Sequence, residues 1–189
     1  AVINLTQKIC TVNILTNWFV CDILCINRRR CNMTISWIYA RNTDWLIGNE
    51  NKLPWKSKTD MEHFRNVTYG NAVVMGRKTF ESLGSKPLQG RLNVVVTRDV
   101  NYKAPNNVLV LHDIEDINRL DCEEIFIIGG AEIYSATYHM IDMVYESIIF
   151  ADAVGDIYMP LWLNKDTHDD WKLKSSRFHN NEDVAVIIN

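Results

Sequence analysis

The sequence predicts an α/β fold with a mostly parallel central sheet that an antiparallel C-terminal hairpin completes. Short β-rich runs alternate with helical stretches from residue 33 onward. Twice a strand runs into glycine and then into a helix start, and the chain ends on two β-rich runs with no helix between them. With 189 residues and 47% hydrophobic content, the chain suits one well-buried domain better than two. Its net charge is −3, and basic residues are scattered apart from Arg28, Arg29 and Arg30, so there is no electrostatic footprint for nucleic acid.

Residues 1–32 stand apart as an extension, and the domain is expected over 33–189. The apolar stretch ICTVNILTNWFVCDILCI (9–26) is broken by Asn13, Asn17 and Asp22 and followed by three arginines. It lies at the short limit for a membrane span, and a central Asp costs about 3 kcal/mol on insertion, which weighs against an anchor. Cys10, Cys21, Cys25 and Cys31 precede residue 33 and only Cys122 follows it. The absence of C-x-x-C and of zinc-like gaps predicts no metal site. The odd count favours free thiols, a reducing compartment and hence a cytoplasmic location.

The first strand, ISWIYA (35–40), leads into RNTDWLIGNENKLPWKS (41–57), which has no clear periodicity; segments of this length tend to be lids or binding loops. A helix follows over 58–68, within LPWKSKTDMEHF (53–64). It puts Asp60 on one face with Phe64 and Val67, while Glu62 and Arg65 take the opposite face. An acid in a first helical turn is favoured by the macrodipole whatever the protein does. An acid beside aromatic rings behind a rigid Leu-Pro-Trp entry could instead grip a flat, amidine-like heterocycle by paired hydrogen bonds. Both readings of Asp60 stay open on these residues.

Strand AVVM (72–75) then meets Gly76, Arg77, Lys78 and Thr79 and a helix over 77–83, and EIFII (124–128) meets Gly129, Gly130, Ala131 and Glu132 and a helix over 131–138. Glycine lets a phosphate approach the backbone, and a helix start offers N–H groups. Strand LNVVVT (92–97) brings Thr97 and Arg98 to the carboxyl edge of the sheet, where open α/β folds bind ligands. Three such strand ends suggest a dinucleotide. GNAVVMGRKT departs from a P-loop in spacing, and IGGAEIY lacks G-x-G-x-x-G, so neither a P-loop NTPase nor an ordinary Rossmann dehydrogenase fits. Further strands are predicted at NVLVL (107–111) and MVYESIIF (143–150), a helix at 113–120, and the closing hairpin at 171–178 and 183–188.

In this order, IGNENKLPW, the Asp60 and Phe64 helix, VVMGRKTFESLG, PLQGRLNVVVTR, IFIIGGAEIY and GDIYMP resemble dihydrofolate reductase of the bacterial, single-domain type, from Met33 to the end. The resemblance implies its three-layer fold and the NADPH-dependent reduction of dihydrofolate, by a monomer open to diaminopyrimidine and pteridine antifolates. It implies catalytic roles for Asp60 on the pterin, Trp55 on an active-site water and Ser147 in support of Asp60. Ile38, Tyr39, Met61, Phe64, Leu83 and Ile128 would meet the substrate, and Arg91 its glutamate carboxylate. The cofactor would meet Ala40, Ile47, Gly48, Leu53, Arg77, Lys78, Thr79, Thr97, Arg98, Ile128, Gly129, Gly130, Ala131, Glu132, Ile133 and Tyr134, with a cis Gly129–Gly130 peptide.

Three places depart from the family pattern: Ser147 stands for the usual Thr, GDIYMP for a GDT start, and the last strand is short. Two rivals stand beside this reading. One is the related pyrimidine reductase of riboflavin synthesis, disfavoured by the LPW and Asp60 pairing and by Arg91. The other is a non-catalytic nucleotide-binding module of the same fold, disfavoured by intact Asp60, Trp55 and Gly129–Gly130.

Overall fold

The computed structural model describes residues 33–160, 174–179 and 184–188. The extension at 1–32, the start of the hairpin at 171–173 and residue 183 lie outside the described residues. Strands β1 (Thr34–Asn42), β3 (Ala72–Gly76), β4 (Leu92–Val96), β5 (Val108–Leu111), β6 (Glu124–Ile127) and β7 (Met143–Ile149) build a sheet with β9 (Ser175–His179) and β10 (Val184–Ile188). Its order is β5-β4-β3-β6-β1-β7-β10-β9. Pairs from β5 to β7 are parallel, whereas β10 runs antiparallel to both β7 and β9. The mostly parallel sheet with its antiparallel hairpin therefore matches the predicted class.

Strand alternation sorts the core into two faces. Ile35, Trp37, Val74, Ile125 and Ile127 pack with Ile117, Ile133 and Tyr134 on one face. On the other, Ile38, Val73, Met75, Val95 and Phe126 pack with Phe64, Val67 and Phe80. Helices α1 (Lys58–Thr68) and α2 (Arg77–Ser82) thus cover one side, and α3 (Ala131–Thr137) and a 3₁₀ helix at Ile114–Arg119 cover the other. The tighter 3₁₀ winding replaces the helix expected at 113–120.

The 41–57 segment is more ordered than its sequence suggests. β1 continues to Asn42, and β2 (Leu46–Gly48) pairs antiparallel with β8 (Ile157–Tyr158) in a small second sheet. Three residues are too few to show alternation, and the partner strand lies over a hundred residues away. The expectation of free thiols falls mainly on Cys10, Cys21, Cys25 and Cys31, which lie outside the described residues. Among the described residues, no helix is long and apolar enough to cross a membrane.

Candidate active site

Helix α1 starts at an N-cap, Ser57, whose Oγ accepts the backbone N–H of Asp60 at 3.1 Å. That bond satisfies one of the free donors of the first turn, and the Asp60 carboxylate is not needed for it. The carboxylate points to the sheet side, and the residue is only 8% exposed. Burial raises its pKa above the ordinary aspartate value, and a hydrogen bond with Ser147 opposes the rise. Ser147, on β7, is level with Ala40 of β1 and is itself buried. Ala40 packs with Trp55 and Ile149.

A cavity of about 560 Å³ opens beside this carboxylate, lined by Leu53, Trp55, Lys56, Ser57, Lys58, Asp60 and Met61. Leu53, Met61 and Leu83 stand 49%, 53% and 40% exposed around it and along α2, large apolar groups that water covers at a cost. The Trp55 indole N–H is buried without a hydrogen-bond partner among the described residues. An unmet buried donor costs roughly 1–3 kcal/mol, so this one suits a polar atom brought by a ligand or water.

Behind the cavity, the Tyr134 hydroxyl donates to the Ile38 carbonyl at 2.9 Å. Burial, and then the nearby Asp60 charge, push the Tyr134 pKa far above its ordinary value, so it stays a neutral donor. Ile38 and Ile128 line the α1 side of the core. Tyr39 does not accompany them. Alternation sends its side chain to the α3 side, where its ring meets Tyr134 edge-on at 5.8 Å and its hydroxyl donates to Glu146 at 3.2 Å. A contact from Tyr39 to a ligand in this cleft would have to come from its backbone.

Arg91 lies at the outer end of α1. Its Nε donates to Thr68 Oγ1 at 2.8 Å, Nη1 to the Gln89 carbonyl at 2.7 Å and Nη2 to the Arg65 carbonyl at 3.0 Å. The guanidinium stands 5.8 Å from the ring centres of both Phe64 and Tyr69. Partial burial, then the Arg65 charge, lower its pKa somewhat. Of five N–H donors, three fix the fork and two remain for a planar anion such as a carboxylate.

The glycine-bearing strand ends come together on the other side. The Gly76 N–H donates to the Gly129 carbonyl at 2.8 Å, joining the ends of β3 and β6. The Gly129–Gly130 peptide is cis, and Gly129 has φ +117°, a conformation side chains rarely adopt. A Cβ on Gly130 would stand 3.4 Å from Thr79 Oγ1, so the two turns are in contact. Neither α2 nor α3 has a side-chain cap. Ala131, Glu132 and Ile133 form the first turn of α3, with the Ile133 side chain over Gly76.

A second cavity of about 430 Å³ is lined by Asn51, Arg77, Lys78, Glu81 and Ser82. Arg77 is tied to Glu81 at 3.1 Å, whereas Arg98 is almost fully exposed and only loosely paired with Glu132, at 3.6 Å. The Glu132 carboxylate thus meets a cation and is a poor phosphate contact in its own right. Thr97 is buried, and its Oγ1 accepts the Asp99 N–H at 3.2 Å.

The 49–57 loop lies between the two cavities. The Glu50 N–H donates to Asp156 Oδ1 at 3.0 Å, and the Asp156 N–H donates to the Gly48 carbonyl at 3.2 Å. Ile47 packs toward the α3-side core. Asp156, Arg41 and Glu146 escaped the sequence reading. A charged residue at an inward position of IYAR and YESI was the available signal for the last two.

A sequence model of the dihydrofolate reductase family matches residues 34–187. The dihydrofolate reductase of Staphylococcus aureus strain Mu50 is 39% identical over 144 residues, covering 76% of this chain and 86% of the relative. That of Bacillus subtilis strain 168 is 39% identical over 147 residues, with coverages of 75% and 82%. A solved structure of dihydrofolate reductase from Enterococcus faecalis, complexed with NADP(H) and RAB-propyl, superposes with a TM-score of 0.73 at 27% identity. It covers 82% of this chain and 94% of its own.

Proposed function

The chain belongs to the dihydrofolate reductase family, and on that premise we propose that it reduces 7,8-dihydrofolate to 5,6,7,8-tetrahydrofolate with NADPH, serving one-carbon metabolism in the cytoplasm. The observation that carries this reading is the Asp60 carboxylate, buried, freed from capping by Ser57 and aimed into a cavity edged by exposed apolar side chains. A charged oxygen pair in that setting suits the ring N3 and 2-amino donors of a pterin.

The residues present fit the cofactor. The joined Gly76 and Gly129–Gly130 turns let a phosphate or a ring approach bare backbone, and Thr79, Lys78 and the exposed Arg98 supply polar and cationic groups nearby. When bound, NADPH supplies a hydride, which goes to C6 of the substrate while N5 takes a proton.

The protein's part is to bind, orient and exclude water. Asp60 holds the pterin and polarises it, and the Ser147 hydroxyl keeps that carboxylate in place. The Trp55 indole N–H fixes a water near the ring as the route for the N5 proton. Tyr134 fixes the Ile38 carbonyl, and Arg91 takes the glutamate carboxylate of the substrate on its two remaining donors. The 49–57 loop, tied down at Asp156, closes the site and brings the two rings to reacting distance. Diaminopyrimidine and pteridine antifolates would place their two-donor edge on Asp60.

Following the absorbance of reduced nicotinamide with the full chain, NADPH and dihydrofolate tests the reading. Turnover dependent on both is expected; tight NADPH binding without turnover would contradict it.

A further inference from the structure

We infer that Glu146 and Arg41, with Tyr39, form a buried positioning device that sets the root of the loop closing on the cofactor; this rests on the functional reading above. Glu146 is 3% exposed and Arg41 6%. Arg41 Nε donates to Glu146 Oε1 at 2.5 Å, and the Tyr39 hydroxyl donates to the same oxygen at 3.2 Å. All three lie on the α3 side of the sheet, the side away from Asp60.

The guanidinium reaches from this pair into the turn between β1 and β2. It lies 3.9 Å from the centre of the Trp45 ring, and its Nη1 donates to the Asn42 carbonyl at 3.0 Å. The same carbonyl accepts the Trp45 N–H at 3.3 Å. Asn42 Oδ1 accepts the N–H groups of Asp44 at 2.9 Å and Leu46 at 3.0 Å. Trp45 has φ 66°, a left-handed conformation that a bulky residue adopts only where its surroundings impose it. The Trp45 carbonyl accepts the Met159 N–H at 2.9 Å, which fastens the turn to the end of β8. Residues 46–48 leave this turn directly and lead to the loop that carries Leu53 and Trp55 into the cleft.

Stability is a weak reason to keep such a network. Replacing a buried ion pair by apolar groups of similar volume is often neutral or stabilising, because two charges no longer have to leave water. Direction is a better reason. The charge on Glu146 fixes where the guanidinium stands, the guanidinium fixes the Trp45 ring, and Trp45 sets the angle at which the chain enters β2. The same Glu146 adjoins Ser147, whose hydroxyl supports Asp60 from the opposite face of β7. Tyr39 also packs edge-on against Tyr134, which holds the Ile38 carbonyl. The loop root and the back wall of the site are therefore set by one group of side chains.

The test compares the full chain with the apolar triple variant Tyr39→Phe, Arg41→Leu, Glu146→Leu and with Glu146→Gln. Thermal melting, KM for each substrate, kcat and amide hydrogen exchange over 46–53 are measured. The triple variant should melt at or above the parent. Its KM for NADPH should rise on the order of tenfold to a hundredfold, the scale of a misplaced positioning element. KM for dihydrofolate should rise less than KM for NADPH, since Asp60 and Arg91 are held from α1 by Ser57, Thr68 and Arg65. Exchange over 46–53 should speed up in the apolar variant without either ligand. Parent-like KM for NADPH and parent-like exchange in a folded triple variant would overturn the proposal. If the triple variant does not fold, Glu146→Gln decides: the nearly isosteric amide lacks the charge and should shift KM and exchange in the same directions, and parent-like values overturn the proposal. A parent chain without NADPH-dependent turnover would defeat the functional reading instead, and the exchange comparison separates the two failures.

Discussion

Ser57 Oγ accepts the Asp60 backbone N–H at 3.1 Å, and this one bond separates the two jobs an acid could do at the start of α1. The cap is Ser57, so the Asp60 carboxylate sits buried at a cost, with its pKa raised by desolvation.

That cost has a pH signature. A carboxyl whose folded pKa is raised binds its proton more tightly in the folded state, so its contribution is most favourable below the ordinary aspartate pKa of about 4 and is lost as pH rises through the folded value. Asp60→Asn should therefore melt higher than the parent at neutral pH, by about 2–4 °C for each 1 kcal/mol recovered. The gap should close as pH falls below the ordinary value. Melting curves across this range check it; an Asn variant less stable at neutral pH would contradict it.

Arg98→Leu should raise KM for NADPH by roughly tenfold or more, the worth of one or two charge-assisted hydrogen bonds, and leave KM for NADH nearly unchanged. Arg98 is the better candidate for the extra phosphate because its contact with Glu132 is long and exposed, whereas Arg77 is held by Glu81. Equal changes for the two cofactors would show that Arg98 does not meet that phosphate.

Gly90→Ala should cost about 1–3 kcal/mol in chemical denaturation, the range for a side chain forced into a disfavoured backbone region. Gly90 has φ +73°, and a Cβ there would stand 2.3 Å from the Tyr69 ring. Because Tyr69 flanks Arg91, KM for dihydrofolate should rise with it. A variant as stable as the parent would contradict the geometry.

Much of the frame was legible because it rests on local patterns. Helix α1 follows from the spacing of Asp60, Phe64 and Val67, and the strand ends at Gly76 and Gly129 follow from β-rich runs meeting glycine. What escaped depends on distant partners. The β2 and β8 pairing joins Leu46 to Tyr158, and neither strand is long enough to show a period. The resemblance names Tyr39 with Ile38 at the substrate, and alternation puts their side chains on opposite faces of the sheet. The Arg41 and Glu146 pair spans 105 residues, so each strand shows only a charge at an inward position and not the partner that meets it.

The most direct test of the account is a pH–rate profile of Asp60→Asn beside the parent, with circular dichroism to establish that both are folded. Asn is nearly isosteric with Asp, and Ser57 still caps the helix, so the fold should be kept. If Asp60 grips the pterin and assists protonation at N5, kcat at neutral pH should fall by about 10²–10⁴. The residual rate should climb as pH falls, because substrate protonated in solution no longer needs that help, while the parent changes less until Asp60 itself titrates. A folded Asn variant with parent-like kcat and a parent-like profile would contradict the catalytic role of Asp60.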